Sequence, residues 1–478
     1  MKTPNKASEQ SSKLLKGTVL YFLGTFLSKS LTILILPLVT LKLTAEEYGK
    51  FDLYATIAII AVPIFTLQTI EAVFKFLFSA DEKNKKKLIS NLWIIIFIGS
   101  LIVWALLLII NKFFLSIPHY NPLFLFYCST VLLTMYQRVA RSLGLSRQFA
   151  ISGVINVLIL IISQVIALIF LDAKLVGFIY TYVIANIGTV IYLEFRTSSV
   201  KDFSLKHYDF QLIKDLTSFG LPLIPNNISW LSVATINKIL VVSYLGLGVN
   251  ALYAITSRLT SAIFILGDVF KLAWQESAIT SYNERGREEF YSKTFNAFFS
   301  IMILLCALSL PVIKITLPFL VSESFTSASI YIPVAMIGAA LYAAVAFYGV
   351  GYLASGKTKD SFFTTITGAI VNILITFFFI TQIGLFAPLI GTASAYLTIW
   401  VMRHIRMKDY FRVIIDYNKI LKVTLIYIMT SFIYYVMNTP INALAMIVLA
   451  LFIFFDNKEL LKYVRKNTLK LIKSDSNP

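Results

Sequence analysis

Apolar residues fall in long blocks separated by short polar stretches over almost the whole chain. Fourteen blocks can be drawn, beginning with Thr18–Leu41, Asp52–Phe78 and Asn91–Phe113. They continue through Leu216–Leu245 and Val249–Leu272 and end with Ile420–Met437 and Ile441–Phe455. About 20 apolar residues in a helix cross the hydrocarbon of a bilayer. Most blocks reach that length, and the last two are the shortest. The pattern predicts an all-α integral membrane protein of about 14 transmembrane helices. The polar first residues, Met1–Lys16, precede a block with no small-residue cleavage site, so Thr18–Leu41 is read as a retained span.

Composition agrees. The 478 residues are 58% hydrophobic with a mean hydropathy of +0.79, whereas a soluble domain is nearer 45–50% apolar. The net charge of +18 raises the question of nucleic acid. The positions of the cations answer it. With the N-terminus inside and the spans alternating, 33 of the 42 Lys and Arg lie in inside segments and four outside. That asymmetry is the positive-inside pattern of a membrane protein. It predicts cytoplasmic termini and explains the basic balance without a nucleic-acid partner. Cys128 and Cys306 lie inside apolar blocks and read as small hydrophobes, neither disulfide nor metal ligands. His119, His207 and His404 are scattered, so no metal or other cofactor is expected.

The loops are short and carry no phosphate-binding GxxxxGK[ST] loop, which leaves no room for a nucleotide-driven domain. The inside loop Glu194–Asp215 divides two six-span halves. The expected organisation is 1–200, 201–415, and 416–478 for the last two helices and a basic tail. The halves echo one another weakly. Leu43–Phe51 (LTAEEYGKF) and Leu245–Tyr253 (LGLGVNALY) each link a first span to a second. Paired halves around a central site are a common transporter plan.

Charges within the blocks need a reason, because one near the bilayer centre costs roughly 2.5–3.5 kcal/mol on insertion scales. Lys29 lies in span one, Glu71 and Lys75 in span two, Lys238 in span seven, and Arg258 and Asp268 in span eight. These are the first two spans of each half. Four helices enclosing a wet, cation-rich space would account for them, and such a space suits an anionic passenger. The alternatives are local: Glu71 and Lys75 can neutralise each other at i, i+4 spacing, and Asp268 can pair with Lys271. Gln68, Asn156, Gln164, Asn226, Asn227 and Asn237 are polar candidates for the lining of that space. A membrane enzyme would call for a large loop with catalytic carboxylates or a His/Asp cluster, and the sequence has neither, so no enzyme activity is expected.

The chain resembles the polysaccharide flippases of the multidrug/oligosaccharidyl-lipid/polysaccharide exporter superfamily, the Wzx-type transporters of O-antigen and capsule units. The residues that carry the resemblance are EEYGKFDLY at Glu46–Tyr54, FGLPLIPNNISW at Phe219–Trp230, ALYAITSRL at Ala251–Leu259 and KLAWQES at Lys271–Ser277. The resemblance implies two six-helix lobes in a V, like MATE and MurJ proteins, with spans one, two, seven and eight lining a cationic cavity. It implies an undecaprenyl-pyrophosphate-linked oligosaccharide as substrate, turned from the inner to the outer leaflet of the bacterial cytoplasmic membrane by alternating access. It also implies membrane lipids and a polysaccharide polymerase or chain-length machinery as partners. Such proteins often carry Asp-Arg in span seven where this chain has Asn237-Lys238, which leaves any ion-coupling role of that position open. An ion-coupled multidrug or metabolite exporter on the same scaffold is the alternative reading.

Overall fold

The structure, a computed structural model, describes residues 35–77, 80–113, 120–282, 286–355 and 358–456. The described residues form helices joined by short turns, with no strand. The order is α1 (Leu36–Lys42), α2 (Ala45–Phe65), α3 (Thr69–Leu77), α4 (Glu82–Phe113) and α5 (Tyr120–Ser142). Next come α6 (Ser146–Val165), α7 (Lys174–Thr197), α8 (Phe210–Gly220), α9 (Leu223–Leu245), α10 (Leu247–Thr280) and α11 (Arg287–Leu320). The chain closes with α12 (Ile332–Ala354), α13 (Thr358–Ile383), α14 (Phe386–Arg406), α15 (Tyr417–Val436) and α16 (Thr439–Asp456).

Ten helices among the described residues are long and apolar enough to cross a membrane. The protein is a multi-pass membrane protein. Of the fourteen blocks, the first lies outside the described residues except for its end, α1. The apolar stretches Ile236–Leu245 of α9 and Thr439–Ile453 of α16 are shorter, and α14 ends on Arg403, His404 and Arg406. Large apolar side chains face outward, as on α4 (Phe97 64% exposed) and α15 (Phe432 59% exposed). In water such surfaces would associate; in a bilayer they meet lipid tails.

Two blocks expected to be continuous are divided. Block Asp52–Phe78 breaks between α2 and α3, where Leu67 (φ 51°) and Gln68 (φ 54°) are left-handed. A left-handed L-residue costs roughly 1–2 kcal/mol, so its surroundings must hold it there. Two glycines allow that close support: a Cβ on Gly99 would lie 2.1 Å from the Phe65 carbonyl oxygen, and one on Gly220 2.1 Å from that of Leu67. Block Leu216–Leu245 breaks between α8 and α9 at Pro222, whose ring nitrogen has no hydrogen to donate.

The chain divides into two compact units. The first comprises 1–258, 320–325 and 365–392. Its core is packed by Phe51 of α2, whose ring lies 4.7 Å from those of Phe178 and Tyr182 on α7. Buried amides and hydroxyls join its helices: Asn156 donates to Asn186 Oδ1 and lies 3.2 Å from Thr189 Oγ1, and Asn186 donates to Ser129. The connector after α7 is fastened to α4, where Asn91 donates to the His207 carbonyl and accepts from the Asp209 amide.

The second unit comprises 259–319, 326–364 and 393–478. It is packed by aromatic rings, with Trp274 4.6 Å from Phe347 and Tyr291 4.4 Å from Phe411. Cys306 is buried there and its thiol points at the Met336 carbonyl. The segment before α15 is held by side chains of α11: Ser292 Oγ accepts from the Ile414 amide, and Asn296 bonds the Ile414 carbonyl and the Asp416 amide.

Candidate functional site

Helix α2 starts with a reciprocal cap, Thr44 bonding the Glu47 amide while the Glu47 carboxylate bonds the Thr44 amide. Counting on from that cap, Tyr48, Asp52 and Thr56 fall at i, i+4 and i+8 and so share one face. Gly49 lies beside that face and lets the start of α10 approach: a Cβ there would sit 1.9 Å from the Leu247 carbonyl oxygen. The close approach brings Asn250 within 3.0 Å of the Gly49 carbonyl and 3.4 Å of Asp52 Oδ2. The turns Leu43–Phe51 and Leu245–Tyr253, which echo each other in sequence, are therefore packed together within the first unit.

The face meets α9 and α10. Lys238 Nζ of α9 donates to Asp52 Oδ1 at 2.9 Å and to Thr56 Oγ1 at 3.1 Å. The Lys238 and Asp52 side chains are 19% and 18% exposed. Arg258 of α10 donates to the Tyr48 hydroxyl at 3.1 Å, with Asp52 and Tyr182 also within its electrostatic reach. An ammonium, a guanidinium, a carboxylate and two tyrosine hydroxyls thus converge from α2, α7, α9 and α10. Next to Lys238, Asn237 is fully buried. Its amide nitrogen lies 3.2 Å from the Pro388 carbonyl, 3.0 Å from Thr392 Oγ1 and 3.4 Å from the Tyr253 hydroxyl. Its oxygen accepts from Thr376. Asn237 thereby ties α9 to α10, α13 and α14 and holds its neighbour Lys238 in register.

Residues 14–267, just over half of the chain, match the polysaccharide biosynthesis protein family. The chain belongs to that family. Its fold is shared with solved structures of a MATE family transporter and of MurJ. A multidrug resistance MATE family transporter in an inward-facing conformation superposes with a TM-score of 0.65 at 16% identity, over 80% of this chain and 95% of that one. The lipid II flippase MurJ in an inward closed conformation gives 0.65 at 17% identity, over 93% of this chain and 100% of that one. Among curated proteins, none matches the chain. The protein is thus a multi-pass membrane member of the polysaccharide biosynthesis family on this fold.

The other residues singled out from the family member's sequence are distributed as follows. Lys29 lies outside the described residues, as do the side chains of Asn226 and Asn227 on α9. Glu71 bonds Arg138 of α5 at 2.6 Å, not Lys75. Lys75 lies over the Phe219 ring, 4.3 Å from its centre. Asp268 belongs to the second unit and accepts from the Tyr342 hydroxyl, not from Lys271. Gln68 is buried at the break between α2 and α3, and Gln164 is buried beside Tyr182. Asn156 is engaged in the amide network between α5, α6 and α7.

Asp52, Thr56 and Asn250 were not singled out. Asp52 is the first residue of its apolar block, and Asn250 lies in the stretch Leu245–Tyr253 that links two spans. The signal was present in the i, i+4, i+8 spacing of Tyr48, Asp52 and Thr56.

Proposed function

We propose that this transporter turns undecaprenyl-pyrophosphate-linked oligosaccharide repeat units from the inner to the outer leaflet of the bacterial cytoplasmic membrane by alternating access. The observation that carries the reading is the meeting of Lys238 and Arg258 with the hydroxyl-bearing face of α2. A diphosphate cannot cross hydrocarbon unaided, because its hydration must be replaced. An ammonium and a guanidinium in a partly dehydrated site replace it, and Arg can bind two phosphate oxygens at once. Lys29 of span one is the third cation of the proposed site. The buried amides supply a framework, and side chains of Asn226 and Asn227 are the proposed sugar contacts. Two lobes, 1–200 and 201–415, would rock about the site, with 416–478 as an added pair of helices and tail. The distribution of Lys and Arg supports a cytoplasmic position for both termini. A polysaccharide polymerase and its chain-length machinery would receive the product.

The test is complementation of a strain lacking the protein. Lys29→Ala, Lys238→Ala and Arg258→Ala should each abolish surface polysaccharide while the protein remains in the membrane. Full polysaccharide from all three variants would refute the site. A deletion strain with normal polysaccharide but altered drug susceptibility would favour the multidrug exporter instead.

A further inference from the structure

The pairing of Lys238 with Asp52 raises a difficulty for a cation that is to hold an anionic passenger, since the cation already has an anion. We infer that Asp52 is the site's built-in counter-anion: its carboxylate occupies Lys238 until the diphosphate headgroup displaces it, and it returns to release that headgroup. The inference rests on the proposed function and adds the residue that sets the strength of binding.

Three features of the geometry support it. The Lys238 ammonium keeps a second, neutral partner in Thr56 Oγ1 at 3.1 Å, so exchanging the carboxylate does not strip it of every bond. Asp52 likewise keeps Asn250, 3.4 Å from its other oxygen, so a displaced carboxylate is still held. Neither side chain is sealed off, both being about one-fifth exposed.

Electrostatics supplies the reason for such a device. An unpaired ammonium within a span is costly, and a dehydrated one would grip a diphosphate strongly, because Coulomb attraction grows as the local dielectric falls. Transport needs binding favourable enough to load yet weak enough to unload. A diphosphate carries more charge and more acceptor oxygens than one carboxylate, so it wins the ammonium. The displaced Asp52 then competes to regain it. No covalent bond is made or broken in the exchange; one anion replaces another at the same nitrogen.

The experiment measures binding of inorganic pyrophosphate to the purified full-length protein in nanodiscs by calorimetry, alongside surface polysaccharide in cells. Asp52→Asn removes the competing charge with little change of shape. It should bind pyrophosphate about three- to tenfold more tightly than the native protein, the scale of a partly exposed ion pair, while exporting less polysaccharide. Lys238→Ala should lose binding, and Asp52→Asn combined with Lys238→Ala should match Lys238→Ala alone. Asp52→Ser serves the same purpose if the amide variant does not fold. The charge-reversed D52K/K238D protein separates a structural pair from a competing one. A structural pair predicts restored export, whereas a competing pair predicts a folded protein without it. Unchanged or weaker pyrophosphate binding by the neutral Asp52 variants would overturn the inference and leave the proposed function standing. Native binding by Lys238→Ala would overturn the inference and remove Lys238 from the proposed site, while the proposed function would still be judged by export in the Lys29, Lys238 and Arg258 variants.

Discussion

Glu71 on α3 takes its ion pair from Arg138 of α5, 2.6 Å away, although Lys75 lies one turn along its own helix. Lys75 instead covers the rings of Phe219 and Phe76. Arg138 and Arg141 both lie over Phe74. The acid therefore links two helices and does not merely cancel a neighbour. Both partners of the pair are about one-third exposed, so its coupling should be modest, about 0.5–1 kcal/mol. A double-mutant cycle of Glu71→Gln and Arg138→Met, read from thermal unfolding in detergent, should show that coupling. The cycle of Glu71→Gln with Lys75→Met should be additive. A larger coupling to Lys75 would reverse the assignment.

Gly49 places α2 against α10 so closely that a methyl group there would meet the Leu247 carbonyl at 1.9 Å. Backbone atoms cannot swing aside as a side chain can, so the helices must part. Gly49→Ala should destabilise by about 1–3 kcal/mol, the usual range for overpacking, and weaken the Asn250 contacts with Gly49 and Asp52. Gly248, one residue beyond Leu247, has open space around its Cβ position, and Gly248→Ala should melt within a degree or two of the native protein. Equal melting temperatures for the two variants would contradict the close approach.

Much of the fold was legible because oil-facing helices leave a coarse record. Block length, loop length and the placement of Lys and Arg depend on the bilayer and need no knowledge of partners. The breaks in the blocks were less legible. Left-handed residues at Leu67 and Gln68 are held by backbone contacts from Gly99 and Gly220, which lie far along the chain. At the site, the helices contributing Lys238 and Arg258 could be named from the cost of charge in hydrocarbon. Their actual partners could not, because Asp52 and Tyr48 lie about 200 residues away in sequence, as the separations of 186 and 210 show. Asn156 and Asn237 show what the sequence left open. An amide in an apolar helix suggests a ligand contact, yet here both engage neighbouring helices.

Asp209 caps α8 by accepting from the Leu212 amide and faces Lys87 of α4. Those donors, the amide first and then the ammonium, hold its carboxyl below the ordinary value. A depressed acid stabilises the fold in its ionised form. Its contribution is complete above the unfolded-state value of about 4 and is lost as pH falls through the folded-state value. The melting temperature of the native protein should therefore fall more steeply on acidification below about pH 4 than that of Asp209→Asn, which has no such carboxylate to protonate. Parallel acid profiles for the two proteins would show that the cap does not depend on charge.

Arg403 makes the most demanding prediction, because its sequence position gave the opposite impression. It lies in the basic last turn of α14, where it counted as one of the inside cations, yet it is 1% exposed. Its Nη1 donates to the Val345 carbonyl at 2.8 Å, its Nε to Thr364 Oγ1 at 3.1 Å and its Nη2 to Ser361 Oγ at 3.2 Å. The guanidinium also lies over the Tyr352 ring. One planar fork thus joins α12, α13 and α14 within the second unit. Gly349 leaves it room, since a Cβ there would stand 3.0 Å from Nη1. Truncating Arg403 to Ala leaves several buried polar groups short of a donor, each costing about 1–3 kcal/mol. Arg403→Lys keeps the charge but cannot reach three diverging acceptors from one nitrogen, and it places a strongly hydrated ammonium in a dry position. The conservative change should therefore lower the melting temperature about as much as Arg403→Ala does, whereas Arg406→Lys, in the exposed part of the same turn, should have little effect. A native-like melting temperature for Arg403→Lys would mean that charge alone is needed there, and that the fork is not what binds the three helices.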